Sequence, residues 1–257
     1  MKGLFYAIAP KPHSKRSWIP AALIVICLAI AGYGYFIPSS QIFGKVYYKG
    51  DSSQKLVALT FDDGPNDPYT SQILAVLENA NVQATFFTIG KNAELFPDTI
   101  KRMVRDGDVI GNHSYSHSAN HALTQYGIND MRKGELAISV IAGVQPKLYR
   151  PPHGKLSPWE IHYVHSAGMV EVTWTVETLE LSGRSASQEA QDLINKTHPG
   201  DILLLHDGYG TEHFNQHADK SLTVQAVSIL IPKLQAEGYT FVTLSQLLDV
   251  SPYLNQP

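Results

Sequence analysis

The sequence has almost no cysteine, since Cys27 is the only one among 257 residues. A single cysteine excludes an intrachain disulfide, so the fold must be stabilised by its hydrophobic core. Because Ile26 rather than a small residue precedes it, Cys27 also does not fit a lipoprotein attachment site. The length allows one main domain with a substantial core.

The chain also lacks an excess of positive charge, with 20 Lys and Arg residues against 23 Asp and Glu residues. Four of the basic residues lie before the first apolar run, where no acidic residue occurs: Lys2, Lys11, Lys15 and Arg16. The rest of the chain therefore carries a net charge of about −7, which argues against a nucleic-acid partner. Internal repeats and low-complexity blocks are absent from the sequence.

One long apolar run stands out near the N-terminus. Residues 18–37 (WIPAALIVICLAIAGYGYFI) carry no charge, and about 20 residues in a helix just cross a bilayer core. Positive charge lies only before this run, which predicts a single-pass transmembrane anchor with residues 1–17 in the cytoplasm and the catalytic part outside it, in the periplasm or at the cell surface. The alternative is a signal peptide cleaved after residues 29–31 (AIA), which would give a secreted protein.

Residues 38–54 are rich in Ser, Gly and Gln and predict a tether, which is followed by a domain over 55–250. Short β-rich segments alternate there with helical ones. Strands are predicted at 55–61, 84–89, 108–112, 147–150, 169–176, 201–205 and 239–244. Helices are predicted at 70–80, 92–106, 124–142, 158–167, 187–197 and 221–237. This α/β alternation predicts a parallel sheet in a closed or nearly closed barrel, whose site lies at the C-terminal strand ends.

The first strand ends in "LTFDDGPN", which places Asp62 beside Asp63. Adjacent carboxylates oppose each other's ionisation, so a bound cation at Asp63 would explain the pair and leave Asp62 ionised as a base. The alternative interpretation is that Asp-Asp-Gly-Pro only forms a turn.

A second polar segment, "GNHSYSHSANH", contains His113 and His117. A helical turn would direct both imidazoles the same way, although most such pairs are ordinary surface histidines. Two histidines and one carboxylate form a common site for zinc or another transition metal. His213 and His217 have the same spacing but are predicted to lie in a polar rim loop, and His121 is predicted to be a loop residue rather than a third histidine ligand.

Four motifs in this order, "TFDDGP", "HSYSH", "RPPHG" and "LLLHD", resemble those of the polysaccharide deacetylases of carbohydrate esterase family 4, which share the NodB homology domain. The resemblance covers residues 54–248. It implies a distorted (β/α)₇ barrel that removes N-acetyl groups from amino-sugar polymers and depends on one divalent metal ion, Zn²⁺ with Co²⁺ or Ni²⁺ as alternatives.

The resemblance also implies a role for each matching residue. Asp62 matches the catalytic base, Arg150 the arginine that orients it, and His206 the general acid. Leu204 matches an apolar wall of the acetyl pocket, and the main-chain N–H of His153 matches an oxyanion donor. The metal ligands implied are Asp63, His113 and His117.

The sequence departs from the family pattern at three positions. His153 stands where many members have Tyr, and "WTVETLELSG" offers Glu180 and Leu181 where the family usually has Asp and Trp. Glu180 is expected to hold and tune His206, whereas Leu181 lacks a flat face for stacking on a sugar. Trp174 is predicted to lie in the core, with a contact to substrate as the alternative.

The expected function is therefore metal-dependent N-deacetylation of an acetylated glycan such as peptidoglycan, a chitin-like oligomer or an exopolysaccharide. An O-acetyl esterase of the xylan type on the same site is the close alternative. A glycan-binding pseudoenzyme is another, because of the departures at the fifth strand. A non-haem iron oxygenase would use the same two-His, one-carboxylate set, but Asp62 and His206 suit hydrolysis better.

Overall fold

The computed structural model describes residues 19–123, 125–177, 183–210 and 219–254. The strands within these ranges are β1 (Leu56–Asp62), β2 (Thr85–Thr88), β3 (Val109–Asn112), β4 (Leu148–Tyr149), β5 (Val170–Glu171), β6 (Val176–Glu177), β7 (Ile202–His206) and β8 (Thr240–Val242). The helices are α1 (Ile19–Phe36), α2 (Tyr69–Ala80), α3 (Gly90–Leu95), α4 (Pro97–Asp106), α5 (Gln125–Ala142), α6 (Pro158–Ser166), α7 (Ala186–Lys196), α8 (Ser221–Ala236) and α9 (Leu244–Leu248). Several predicted features fall outside the described residues: the N-terminal residues 1–17, Glu180, Leu181, His213 and His217.

The strands form one curled parallel sheet in the order β5-β4-β3-β2-β1-β7-β6. Strand β8 pairs with β1 at Leu56–Ala58, which is N-terminal to the part of β1 that pairs with β2. The two strands at the ends of this order, β5 and β6, follow each other in the chain. The sheet therefore curls into a half-barrel whose two edges are linked by residues 172–175.

The predicted strand over 169–176 is divided because its two ends pair with different neighbours. Val170 and Glu171 pair with β4, whereas Val176 and Glu177 pair with β7. Between them, the N–H of Thr173 donates to the carbonyl of Tyr47. One continuous strand cannot satisfy both sets of partners. The predicted seven-stranded barrel is therefore distorted at this point.

The predicted helix over 92–106 is likewise divided, and the cause is local. Phe96 precedes Pro97 and has φ −126° and ψ 57°, since a residue before proline is disfavoured in the helical region. Helix α3 ends before this residue, and α4 begins at the proline, whose missing N–H is tolerated at the first helical position.

Helix α1 lies within the predicted membrane anchor at residues 18–37. It has 18 residues. Across the residues that the structure describes, no helix has both the length and the apolar character needed to cross a membrane. The predicted transmembrane helix is therefore not supported.

The segment predicted as a tether, 38–54, contacts the domain. Ser40 and Val46 are buried, and Val46 packs against Leu156 and Ile161. Tyr47 forms a parallel bridge with Val172 at the edge of the sheet. This part of the chain therefore covers the region where β5 and β6 do not pair.

Strand periodicity decides which side chains face the interior of the curl. Leu59, Phe61, Leu203 and Leu205 belong to the large core between sheet and helices. Because side chains alternate along a strand, the even-numbered residues of β1 and β7 face the other way. This alternation places Thr60, Asp62, Leu204 and His206 on the inner side.

At the opposite end of the sheet, Asp108 is 5% exposed and its Oδ1 accepts a hydrogen bond of 2.8 Å from the N–H of Ala84. Burial raises the pKa of Asp108 to about 7. A carboxyl group whose pKa is raised on folding stabilises the protein at pH values below its pKa in the unfolded chain, near 3.8. This stabilisation is lost as the pH rises through the folded pKa of about 7.

Asp108→Asn removes the titrating group and with it this loss of stability at high pH. Relative to the parent, the free energy of unfolding of the variant is expected to rise by about 2–3 kcal/mol between about pH 5 and pH 8.

Urea denaturation at the two pH values measures this difference. Asp98→Asn is the matched control, because the Asp98 side chain is 97% exposed, and its effect should not change with pH. An Asp108→Asn variant whose stability difference is the same at both pH values contradicts the prediction.

Candidate active site

The C-terminal ends of four strands meet at one mouth. Asp62 ends β1 and His206 ends β7, and these two residues are paired in the sheet register. His113 directly follows β3, and Arg150 directly follows β4. The parallel sheet therefore brings together residues that are up to 144 positions apart in the sequence.

Asp63, His113 and His117 form a compact buried group. One ligand atom from each lies within 4.8 Å of the others. The Asp63 Oδ1 atom is 3.3 Å from Nε2 of His117 and 3.5 Å from Nε2 of His113. Their exposed fractions are 7%, 2% and 6% in sequence order. These are the three residues whose motifs predicted metal ligation.

The two histidines converge without the predicted helical turn, because residues 113–117 are not helical. Ser114 has φ 65° and His117 has φ 51°, and the N–H of His117 donates to Oγ of Ser114 at 3.0 Å. Asp63 also has a positive φ of 74°. Left-handed backbone at non-glycine residues is uncommon and concentrates at functional sites.

The donor set fits a divalent transition metal. Nδ1 of His113 lies 2.7 Å from the carbonyl oxygen of Arg150, so it carries the proton and Nε2 presents a lone pair toward Asp63. Burial, together with the neighbouring His117, lowers the pKa of His113 well below its ordinary value, which favours the neutral imidazole that a metal requires. Within the described part of the chain, Oδ1 of Asp63 is buried without a hydrogen-bond donor.

Arg150 holds Asp62 from behind the mouth. Its Nη1 donates to Oδ1 of Asp62 at 2.7 Å and to Oγ1 of Thr60 at 2.9 Å, and its Nη2 donates to the carbonyl of Thr173 at 3.0 Å. The guanidinium lies 4.0 Å from the ring centroid of Phe87. Burial raises the pKa of Asp62, and the charge of Arg150 only partly offsets this effect. Asp62 is therefore held in a fixed orientation with a stronger affinity for a proton than a surface carboxylate has.

A cavity of about 450 Å³ opens beside these groups. Its lining includes Asp62, Asp63, His113, His117, His153, Leu204 and His206, all of which the sequence singled out. Arg150 lies behind this lining, whereas Glu180 and Leu181 lie outside the described residues.

The cavity also contains two residues from the end of the predicted fifth strand. Glu177, a strand-end candidate, lines the cavity, and so does Trp174, which is half-buried and also packs against the core as predicted. A Cβ atom at Gly154 would lie 2.5 Å from the Trp174 ring, so the glycine allows the ring to approach. Thr60, which orients Arg150, was missed, although the strand alternation places it on the same face as Asp62.

Arg150 is fully buried, which makes its removal costly. Arg150→Met leaves the charge of Asp62 buried without its partner, and breaking such a pair typically costs about 3–5 kcal/mol of stability. Arg105→Met is the matched control, because the Arg105 side chain is 70% exposed. Chemical denaturation measures both variants. The double variant Asp62→Asn with Arg150→Met is expected to regain part of the loss, and a double variant no more stable than Arg150→Met alone contradicts this account.

Comparisons with known proteins agree on one family. A sequence profile described as polysaccharide deacetylase matches residues 49–172. A peptidoglycan-N-acetylglucosamine deacetylase of Bacillus cereus is 36% identical, over 85% of this chain and 78% of that protein. The peptidoglycan-N-acetylmuramic acid deacetylase PdaC of Bacillus subtilis is 35% identical over 78% of this chain, which spans 40% of that longer protein.

Solved structures give the same result. A peptidoglycan N-acetylglucosamine deacetylase, crystallised with a naphthyl-substituted N-oxidanyl-benzamide, has a TM-score of 0.73 and 33% identity, covering 81% of this chain and 94% of its own. A family 4 pseudoenzyme from Bacillus anthracis has a TM-score of 0.71 and 27% identity, covering 80% and 69%.

Proposed function

The chain belongs to the polysaccharide deacetylase family, carbohydrate esterase family 4, and from this premise we propose that it removes N-acetyl groups from the amino sugars of peptidoglycan with one bound Zn²⁺ ion. It is a hydrolase of that family. The names of the B. cereus and B. subtilis relatives support peptidoglycan as the substrate. The two-His, one-carboxylate set supports Zn²⁺, with Co²⁺ and Ni²⁺ as alternatives.

The observation that carries the proposal is the separation of two carboxylates into two environments. Asp63 lies within 3.5 Å of both histidines, whereas Asp62 is bound to Arg150 at 2.7 Å and lies 3.7 Å from His113. One carboxylate is therefore placed to bind a cation, and the other is placed to accept a proton. Such a division is what hydrolysis of an amide by an activated water requires.

In the proposed mechanism, the bound metal would supply Lewis acidity toward the acetyl carbonyl and lower the pKa of a water molecule. Asp62 accepts a proton from the attacking water, and the hydroxide adds to the carbonyl carbon. His206, across the cavity on the neighbouring strand, donates a proton to the amide nitrogen as the carbon–nitrogen bond breaks. The products are acetate and the free amino sugar.

The tetrahedral intermediate carries a negative oxygen that needs a hydrogen-bond donor. We assign this role to the main-chain N–H of His153. Pro151 and Pro152 precede it and have no N–H, and the His153 ring lies with its centroid 4.4 Å from that of His117. The apolar side of the acetyl pocket is assigned to Leu204, which lines the same cavity.

Acetate release tests the proposal. Metal-loaded protein is incubated with N-acetylated peptidoglycan, a chitin oligomer and O-acetylated xylan, and acetate is measured over time. We expect release from peptidoglycan above the other two. Release from xylan alone would identify an O-acetyl esterase, and glycan binding without acetate release would identify a pseudoenzyme such as the B. anthracis relative.

We also propose that the domain acts outside the cytoplasm, where peptidoglycan lies. The proposal is supported by the basic residues that precede the apolar run at 18–37. Cell fractionation with N-terminal sequencing tests it. Protein found only in the cytoplasmic fraction contradicts the proposal, whereas a mature N-terminus at Gly32 would identify a cleaved signal peptide.

A further inference from the structure

His121, expected from the sequence to be a loop residue, is completely buried beneath the segment that carries His153. Its Nδ1 atom lies 2.9 and 3.0 Å from the two carboxyl oxygens of Glu160, and its Nε2 atom lies 2.9 Å from the carbonyl oxygen of Pro152. A carbonyl oxygen can only accept, so Nε2 carries a proton. The imidazole therefore bridges a carboxyl group and one main-chain peptide.

Glu160 contacts the imidazole with both of its carboxyl oxygens. Glu160 is 1% exposed, and besides Nδ1 of His121 its Oε1 accepts from the hydroxyl of Tyr149 at 3.3 Å. Both oxygens lie almost equally close to Nδ1, so the carboxyl group faces the edge of the ring and limits its rotation.

The pair is tightly enclosed. A Cβ atom at Gly127 would lie 1.9 Å from the carbonyl oxygen of His121 and 2.8 Å from Oε1 of Glu160. Glu160 is in the first turn of α6, where its N–H is capped by Ser157. The other titratable groups that act on this region include Tyr149 on β4, Glu171 on β5, Asp130 on α5 and Tyr35 on α1.

The peptide that His121 contacts is the one that matters for the proposed chemistry. The Pro152 carbonyl and the His153 N–H belong to the same peptide group, so a hydrogen-bond donor on the oxygen polarises the group and strengthens the N–H as a donor. Together with the N–H of Lys155, which donates to the same carbonyl oxygen at 3.3 Å, the contact fixes the plane of this peptide. His153 itself has left-handed backbone, with φ 58° and ψ 12°.

We propose that His121, held by Glu160, is a positioning residue that orients and polarises the Pro152–His153 peptide for its role as oxyanion donor. The inference rests on the proposed function for that role, but the effect on the peptide is independent of it.

Nuclear magnetic resonance of the full chain with ¹⁵N-labelled histidine tests the contact directly. Nε2 of His121 is expected to carry a proton, and His121→Gln is expected to shift the amide proton of His153. A His121 ring with an unprotonated Nε2, or a His153 amide that does not respond, overturns the inference. These readouts stand even if the protein releases no acetate, in which case only the proposed function fails.

Kinetics distinguish positioning from a purely structural role. His121→Gln can retain a side-chain donor to Pro152, whereas His121→Leu leaves only the main-chain N–H of Lys155, at 3.3 Å. We expect kcat to fall about tenfold in His121→Gln and further in His121→Leu, toward the 10²- to 10³-fold typical of a lost oxyanion donor, with KM and metal content unchanged. The exposed His162 provides the matched control, His162→Gln.

If the single variants do not fold, the double variant His121→Gln with Glu160→Gln carries no buried charge and is measured instead. Equal kcat in parent and variant overturns the inference.

Discussion

Asp62→Asn is expected to lower kcat by about 10²- to 10⁴-fold, the usual contribution of general acid–base catalysis, while the protein keeps its metal ion. The asparagine amide has the same shape and can still bind Arg150, but it accepts no proton from water. Because the nearest ligand contacts are made by Asp63 rather than Asp62, metal content should stay at one ion per chain. Acetate-release kinetics beside metal analysis measure both quantities.

Asp63→Asn is the matched comparison, since it changes the neighbouring carboxylate in the same way. It should weaken metal affinity first and regain some activity when metal is added in excess. An Asp62→Asn protein that is metal-free, or that turns over at nearly the parental rate, would show that the two carboxylates have been assigned wrongly.

His117→Ala is expected to abolish stoichiometric metal binding and, with it, turnover. The group of three donors would be reduced to one imidazole and one carboxylate, which leaves too few ligands for a tight zinc site. Metal analysis after dialysis gives the bound ion per chain, and reloading with Zn²⁺, Co²⁺ or Ni²⁺ before the activity assay compares the three metals.

His213→Ala and His217→Ala are the controls, because these residues have the same spacing in the sequence as His113 and His117. Both variants should keep their metal. Loss of metal in either control, together with retention in His117→Ala, would show that the wrong histidine pair was chosen.

Much of the site could be predicted because parallel strands end together. Apolar runs that stop at Asp62, Asn112, Tyr149 and His206 locate the polar residues that follow, and a curled sheet then brings them to one mouth. The four ordered motifs indicated roles for these residues, which remain predictions until the variants are measured.

Other features depend on tertiary contacts that no local pattern encodes. The segment around Trp174 resembles a single strand, but its two ends pair with opposite edges of the sheet. The histidine segment suggested a helical turn, yet Ser114 and His117 adopt left-handed backbone instead. His121 looked like a loop residue because its partner Glu160 lies 39 positions away.

The left-handed backbone at Asp63, His117 and His153 bears on how this protein tolerates change. Each such residue costs roughly 1–3 kcal/mol relative to a relaxed conformation, and glycine or asparagine at the same position would remove much of that penalty. The fold thus gives up thermal stability at the positions that shape its chemistry, a trade-off between stability and activity. Laboratory evolution for heat resistance alone would accordingly favour replacements in the cavity and erode the site before the rest of the fold.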